Sequence, residues 1–172
     1  MLIRREQPGD EEPIRAVHAA AFGRPGEPRP IEVLLVDDLR DSQDWVPALS
    51  MVAVVADEIV GHVVCSRATV GLTGHAALGL GPLGVLPQHQ RQGVGSALMH
   101  AVLGAADALG EPLVVLLGHR SYYPRFGFVP ALMLGVRPPV AEWEPGFQAR
   151  RLTAYHPGIR GQFRYARAFD SV

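Results

Sequence analysis

The strongest constraint on this chain lies between Leu78 and Gly118. There an apolar run, a glycine-bearing turn, a long helical pattern and a second apolar run follow one another. The turn "HQRQGVGSAL" spans His89 to Leu98. Glycine costs a helix about 1 kcal/mol relative to alanine, yet Gly93 and Gly95 stand at the entrance of one. From Val94 to Leu109 the apolar spacing is helical, with Leu98, Val102, Ala105 and Leu109 on one face and Gly110 as the C-cap. "PLVVLLG", Pro112 to Gly118, reads as a buried strand parallel to its neighbour. A helix N-terminus carries unpaired N–H groups and the positive end of the helix dipole, and glycines let an anion come close. The amides of Arg91 through Ser96 are therefore candidate phosphate donors. A glycine-rich helix entry with no ligand explains the two glycines equally well. A P-loop is excluded, because it needs a lysine and the chain contains none. A dinucleotide fingerprint lacks its third glycine here, and "PLVVLLGHR" has no acidic residue for a ribose.

The rest of the chain surrounds this unit with alternating elements. "MLIRR" reads as a short strand, with Asp10 as N-cap of a helix that holds Pro13 in its first turn and ends at Phe22. "GRPGEPRP", Gly23 to Pro30, is a loop, and Ile31 to Arg40 is a second amphipathic helix. Met51 to Val70 holds two β-branched runs joined at "ADE", a hairpin signal. A strand follows from about Ala76 to Val85, where the glycines point to a bulge or a close approach to the backbone. "SYYPRFGF" is a short helical turn, "VRPPVAEWEPG" a Pro-rich loop, and "FQARRLTAY" and "GQFRYARAF" two late strands. A length of 172 residues suits one domain able to bury its own core. A net charge of -1 gives no electrostatic support for a nucleic-acid partner. The single cysteine, Cys65, forbids an internal disulfide and reads as a buried small hydrophobe. No cluster has metal-ligand spacing, the N-terminus has no apolar signal core, and no run suits a membrane span. A cytoplasmic protein is expected.

The wider string "LGPLGVLPQHQRQGVGSALM" resembles the acetyl-CoA-binding motif of the GCN5-related N-acetyltransferases, the GNAT family. The match is Val85-Leu86-Pro87 at the strand end, then Gln90, Gly93 and Gly95 opening the helix. A second family element, Y-x-x-x-G-F, stands in the right order and distance as Tyr123, Gly127 and Phe128. The resemblance covers nearly the whole chain and is greatest to a small bacterial subgroup whose acceptors are unassigned. It implies an α/β (α+β) fold. The expected sheet has about seven mostly antiparallel strands, splays between the fourth and fifth, and is flanked by about four helices. It implies acetyl-CoA as donor, and a small-molecule or peptide amine as acceptor. A homodimer is also compatible with it. The pyrophosphate of coenzyme A would rest on the amides of Arg91, Gln92, Gly93, Val94, Gly95 and Ser96. The pantetheine arm would pair with the backbone of Leu83, Gly84 and Val85, with a bulge at Gly84. Its other side would meet Gly118, His119 and the turn from Tyr122 to Phe126.

The resemblance makes Tyr123 the acid that protonates the departing thiolate, since a phenol has a proton to give at neutral pH. Many relatives carry a glutamate on the strand before V-x-P, whereas "ALGLGPLGV" has no ionisable residue. His119 is then a candidate base at the mouth of the following strand. Glu27 and Glu32 flank the loop that borders the acceptor site in the family, and a solvated role is expected for both. Trp45 and Trp143 stand near loops able to rim that site, with packing the commoner role. The other histidines, including His18 and His62, look scattered. The missing strand carboxylate keeps an alternative open: a non-catalytic acyl-CoA-binding module with the same fold.

Overall fold

The computed structural model describes residues 1–26 and 29–172. Strand β1 (Leu2–Arg5) leads through a turn to helix α1 (Glu11–Phe22), and helix α2 (Ile31–Arg40) follows. Strands β2 (Trp45–Val55) and β3 (Glu58–Val70) form the hairpin, and β4 (His75–Val85) returns beside β3. Helix α3 (Val94–Ala108) connects β4 to β5 (Leu113–Leu117). The chain ends with β6 (Val129–Pro130), β7 (Val136–Arg137), β8 (Phe147–Arg151) and β9 (Gly161–Arg164). The main sheet runs β1-β2-β3-β4-β5-β8-β6, and β9 joins the far end of β3 and pairs with β7. Along that seven-strand path only the β4–β5 pair is parallel. The expected α/β fold with its mostly antiparallel sheet is present.

Local chemistry explains these elements. The β2–β3 hairpin turns on Ala56 and Asp57, with φ of 48° and 64°, the two left-handed residues that a tight primed turn requires. Helix α3 buries Val94, Leu98, Met99, Val102, Leu103 and Ala106, a stripe at helical spacing. Burying one such leucine is worth about 1.5–3 kcal/mol. Successive residues of β3 point to opposite faces. Gly61 faces Val94 and Leu98 of α3, while His62 faces His18 of α1. The sheet is therefore sandwiched between α3 on one face and α1 with α2 on the other.

Some expectations change. Asp10 sits at the N-cap position of α1, but its carboxylate makes no capping bond. It accepts instead from the Arg4 guanidinium at 2.6 and 3.0 Å and from the Gln7 amide at 2.8 Å. Among the described residues three α-helices flank the sheet, and the other helical elements are short 3-10 turns, such as those at Pro87–His89 and Tyr123–Phe126. The Pro-rich segment after Gly135 contains β7 and a 3-10 turn at Ala141–Gly146. The last strand stops at Arg164, and Arg167–Ser171 form another 3-10 turn.

Candidate active site

The turn before α3 is shaped by two left-handed residues, Arg91 at φ 57° and Gly93 at φ 86°. The bond from the Ala97 amide to the Gly93 carbonyl, 2.9 Å, opens the helix. The amides of Val94, Gly95 and Ser96 thus precede any intrahelical acceptor, at the positive end of the dipole. The Gln90 side-chain amide donates to the Val85 carbonyl at 3.0 Å and ties the turn to the end of β4. Gln92 does the same to Gln88 at 2.8 Å. The Tyr122 hydroxyl lies over the helix entry, 2.9 Å from where a Cβ on Gly95 would stand. The Arg125 guanidinium, 4.7 Å from the Tyr122 ring centre, adds positive charge beside this cradle.

Strands β4 and β5 pair only at Leu78–Val114 and Gly79–Val115. Beyond that point they part. A cavity of about 560 Å³ opens between them, walled by Leu80 and Leu83 on one side and by Leu117, His119 and Tyr123 on the other. Gly118 lets the Tyr123 ring lie directly on the backbone, in space that a Cβ would occupy. The end of β5 is held by a bond from the Gly118 amide to the Gly146 carbonyl, 2.9 Å, and by Gln148, which donates to the Gly118 carbonyl at 3.1 Å. The His119 carbonyl accepts from the amides of Tyr122 and Tyr123, which starts the 3-10 turn. Burial, with a smaller contribution from neighbouring Tyr122, pushes the Tyr123 phenol up to about 12, so it keeps its proton at neutral pH. Phe126 is buried, edge-on to His100 and to Tyr122.

The remaining wall comes from Phe22 of α1, Glu32 of α2, Trp143, Tyr165 and Phe169. Sequence reasoning left Phe22, Tyr165 and Phe169 unassigned. The spacing of Tyr165 and Phe169, one helical turn apart, is the one local signal, and their rings stack at 4.4 Å. Glu32, expected in solvent, is half-buried on the cavity wall. Trp143 reaches the cavity, but Trp45 packs under the Arg40 guanidinium, 5.4 Å from its ring centre, beside a separate hollow. Glu27 lies outside the described residues. The bulge is not at Gly84, which pairs regularly with His62. It falls at Gly81–Pro82, two residues opposite Val64. Gly84 instead makes room for an imidazole: a Cβ there would stand 2.7 Å from His18 Nδ1.

His18 and His62 are not scattered. They form a buried chain in which His18 Nε2 meets His62 Nδ1 at 2.8 Å, and His62 Nε2 meets Ser50 Oγ at 2.8 Å. The Ser50 hydroxyl donates to Glu6, and the Arg40 guanidinium donates to the same carboxylate at 2.7 Å. Cys65 is fully buried in β3, and burial pushes its thiol well above the usual range.

An acetyltransferase (GNAT) domain model matches residues 2–131. The chain belongs to the GNAT acetyltransferase family. It is 37% identical over 123 residues to the uncharacterized N-acetyltransferase YjhQ of Escherichia coli, across 70% of this chain. The chain spans 65% of that relative's length. Among solved GNAT structures, it superposes on YhbS from Escherichia coli in complex with CoA with a TM-score of 0.87 and 30% identity. That match covers 98% of this chain and 91% of the other. A GNAT acetyltransferase from Brucella melitensis in complex with acetyl-CoA gives a TM-score of 0.79 and 34% identity, over 98% and 97% of the two chains.

Proposed function

We propose that this GNAT protein is an acetyl-CoA-dependent N-acetyltransferase acting on a primary amine of a small molecule or peptide, by direct transfer in a ternary complex. One observation carries the reading: a helix entry with free amides and left-handed Arg91 and Gly93 lies at the head of a gap between parting strands. The structural neighbours that hold CoA and acetyl-CoA support it. The residues present fit such a donor, because the turn offers amides to a pyrophosphate and β4 offers a backbone edge beside the cavity. Acetyl-CoA supplies the acetyl group as an activated thioester.

In this reading Gln90 shapes the turn and the amides of Arg91 through Ser96 hold the pyrophosphate. The backbone of Leu83, Gly84 and Val85 holds the pantetheine arm, and Tyr122 flanks it with Phe126 behind. Tyr123 gives its proton to the departing sulfur, and His119 takes one from the amine. The amine nitrogen bonds the acetyl carbon as the carbon–sulfur bond breaks, so one proton leaves nitrogen and one reaches sulfur. We read the 172 residues as one such domain in a bacterial cytoplasm.

Purified protein given acetyl-CoA and an amine panel should release free thiol. Coenzyme A should also raise its melting temperature more than ATP or NAD does. Tight acetyl-CoA binding with no thiol release from any amine would make it a non-catalytic acyl-CoA-binding module.

A further inference from the structure

The cavity between β4 and β5 has two unlike walls. The wall beside the parted strands belongs to the donor in the reading above. The opposite wall is assembled from four distant parts of the chain: Phe22 at the end of α1, Glu32 in the first turn of α2, Trp143, and the Tyr165–Phe169 stack. Trp143 stands edge-on to Tyr165, with ring centres 6.3 Å apart. Rings in such an arrangement give apolar area and negative π-faces, with few hydrogen-bonding groups. No arginine lines the cavity among the described residues.

Glu32 is the one acidic side chain on this wall among the described residues. Of the other partly buried carboxylates, Glu6, Asp10, Asp37 and Glu111 each meet an arginine, while Glu11 and Asp44, away from the cavity, meet none among the described residues. Glu32 meets none among the described residues, although it is half-buried beside aromatic rings. A carboxylate so placed lacks a cation, and the aromatic faces around it favour one too. The cavity volume, about 560 Å³, is shared with the donor's arm, which leaves room for a compact acceptor.

We infer that the acceptor is a small monoamine with an apolar body, an aryl ring or a short branched chain, whose ammonium group is drawn to Glu32 while its body packs between Phe22, Trp143 and the Tyr165–Phe169 stack. This rests on the acetyltransferase reading and narrows it. Amino sugars would bury several hydroxyl groups against a wall of rings whose polar handles are few, the Trp143 N–H and the Tyr165 hydroxyl. A polyamine would bring a second and third ammonium group into the same apolar surroundings.

The test uses the full chain, acetyl-CoA and four acceptors: 2-phenylethylamine, spermidine, glucosamine and a lysine-containing peptide. Thiol release should show kcat/KM for 2-phenylethylamine at least about tenfold above each of the others. Glu32→Gln should raise KM for that amine by about tenfold and leave KM for acetyl-CoA unchanged. Coenzyme A binding measured by calorimetry confirms that the variant is folded. In a Trp45→Phe background the fluorescence of Trp143 should change when 2-phenylethylamine is added to the coenzyme A complex. Preference for spermidine, glucosamine or the peptide would overturn the inference and leave the acetyltransferase reading standing. Coenzyme A binding without acetylation of any amine would bring down both.

Discussion

Hydrogen-bond accounting at single residues gives the buried chain beneath α1 a direction. The Ser50 hydroxyl has one proton, and it goes to Glu6. Ser50 must then accept from His62 Nε2, so His62 Nδ1 is bare and accepts from His18 Nε2. A neutral His18 ends with an unprotonated Nδ1, which is buried, has no hydrogen-bond partner and faces Gly84. Burial first, then the neighbouring His62 and Arg40, holds the His18 pKa well below its ordinary value, which agrees with a neutral ring. Gly84→Ala should therefore cost about 1–3 kcal/mol through overpacking, read from the urea midpoint. Wild-type stability in that variant would remove the tight His18 contact. At Tyr123 the argument concerns chemistry. Tyr123→Phe keeps the ring on Gly118 and removes the proton, so kcat should fall by about a hundredfold with KM for acetyl-CoA unchanged. Full activity in this variant would take the acid role away from Tyr123.

The unit of function at the next scale is β4, its turn and α3. Tilting the turn away from its left-handed geometry should spoil the anion cradle before it spoils the fold. Gly93→Ala places a Cβ on a residue at φ 86°, a strain of about 1–2 kcal/mol. Calorimetry should show coenzyme A affinity reduced by more than the change in unfolding free energy accounts for. Equal losses would mean that the turn serves only the helix. The hairpin and the 3-10 turn at Tyr123–Phe126 behave alike: each is written within a few residues, and each was legible from the sequence.

Across the whole molecule, the buried ionisable groups predict how stability depends on pH. Burial raises the Glu6 pKa, but the His62 ring at 3.7 Å and hydrogen bonds from Arg40 and Ser50 outweigh it and hold the carboxyl at about 2, against an ordinary 4.5. Its contribution is present above about pH 4.5 and is lost as pH falls toward 2. Burial likewise keeps His18 and His62 neutral in the fold, whereas unfolded histidines take up protons below about 6.5. Both contributions have the same sign, so unfolding takes up protons and acid destabilises. Each proton taken up is worth about 1.4 kcal/mol per pH unit. Urea unfolding at pH 7.5, 6 and 5 should show stability falling at each step, beginning below about 6.5. A flat profile would contradict the neutral buried pair.

Reading along the chain identified the β4–turn–α3 unit, the hairpin, the parallel β5 and the family. These depend on periodicity and backbone conformation over a dozen residues, where one residue's environment is set by its near neighbours. The same reading put Glu32 in solvent, gave Gly84 a bulge and treated His18 and His62 as unrelated. Those errors share a cause. His18 and His62 stand 44 positions apart, and no local pattern records that two faces will meet. The cavity wall has the same origin, since Phe22, Glu32, Trp143, Tyr165 and Phe169 become neighbours only when α1, α2 and the C-terminal segment close over the parted strands. The donor's seat could be read along the chain because it is one turn of backbone. The acceptor's wall took shape only in the tertiary structure, because it is built from side chains that packing brings together from remote segments.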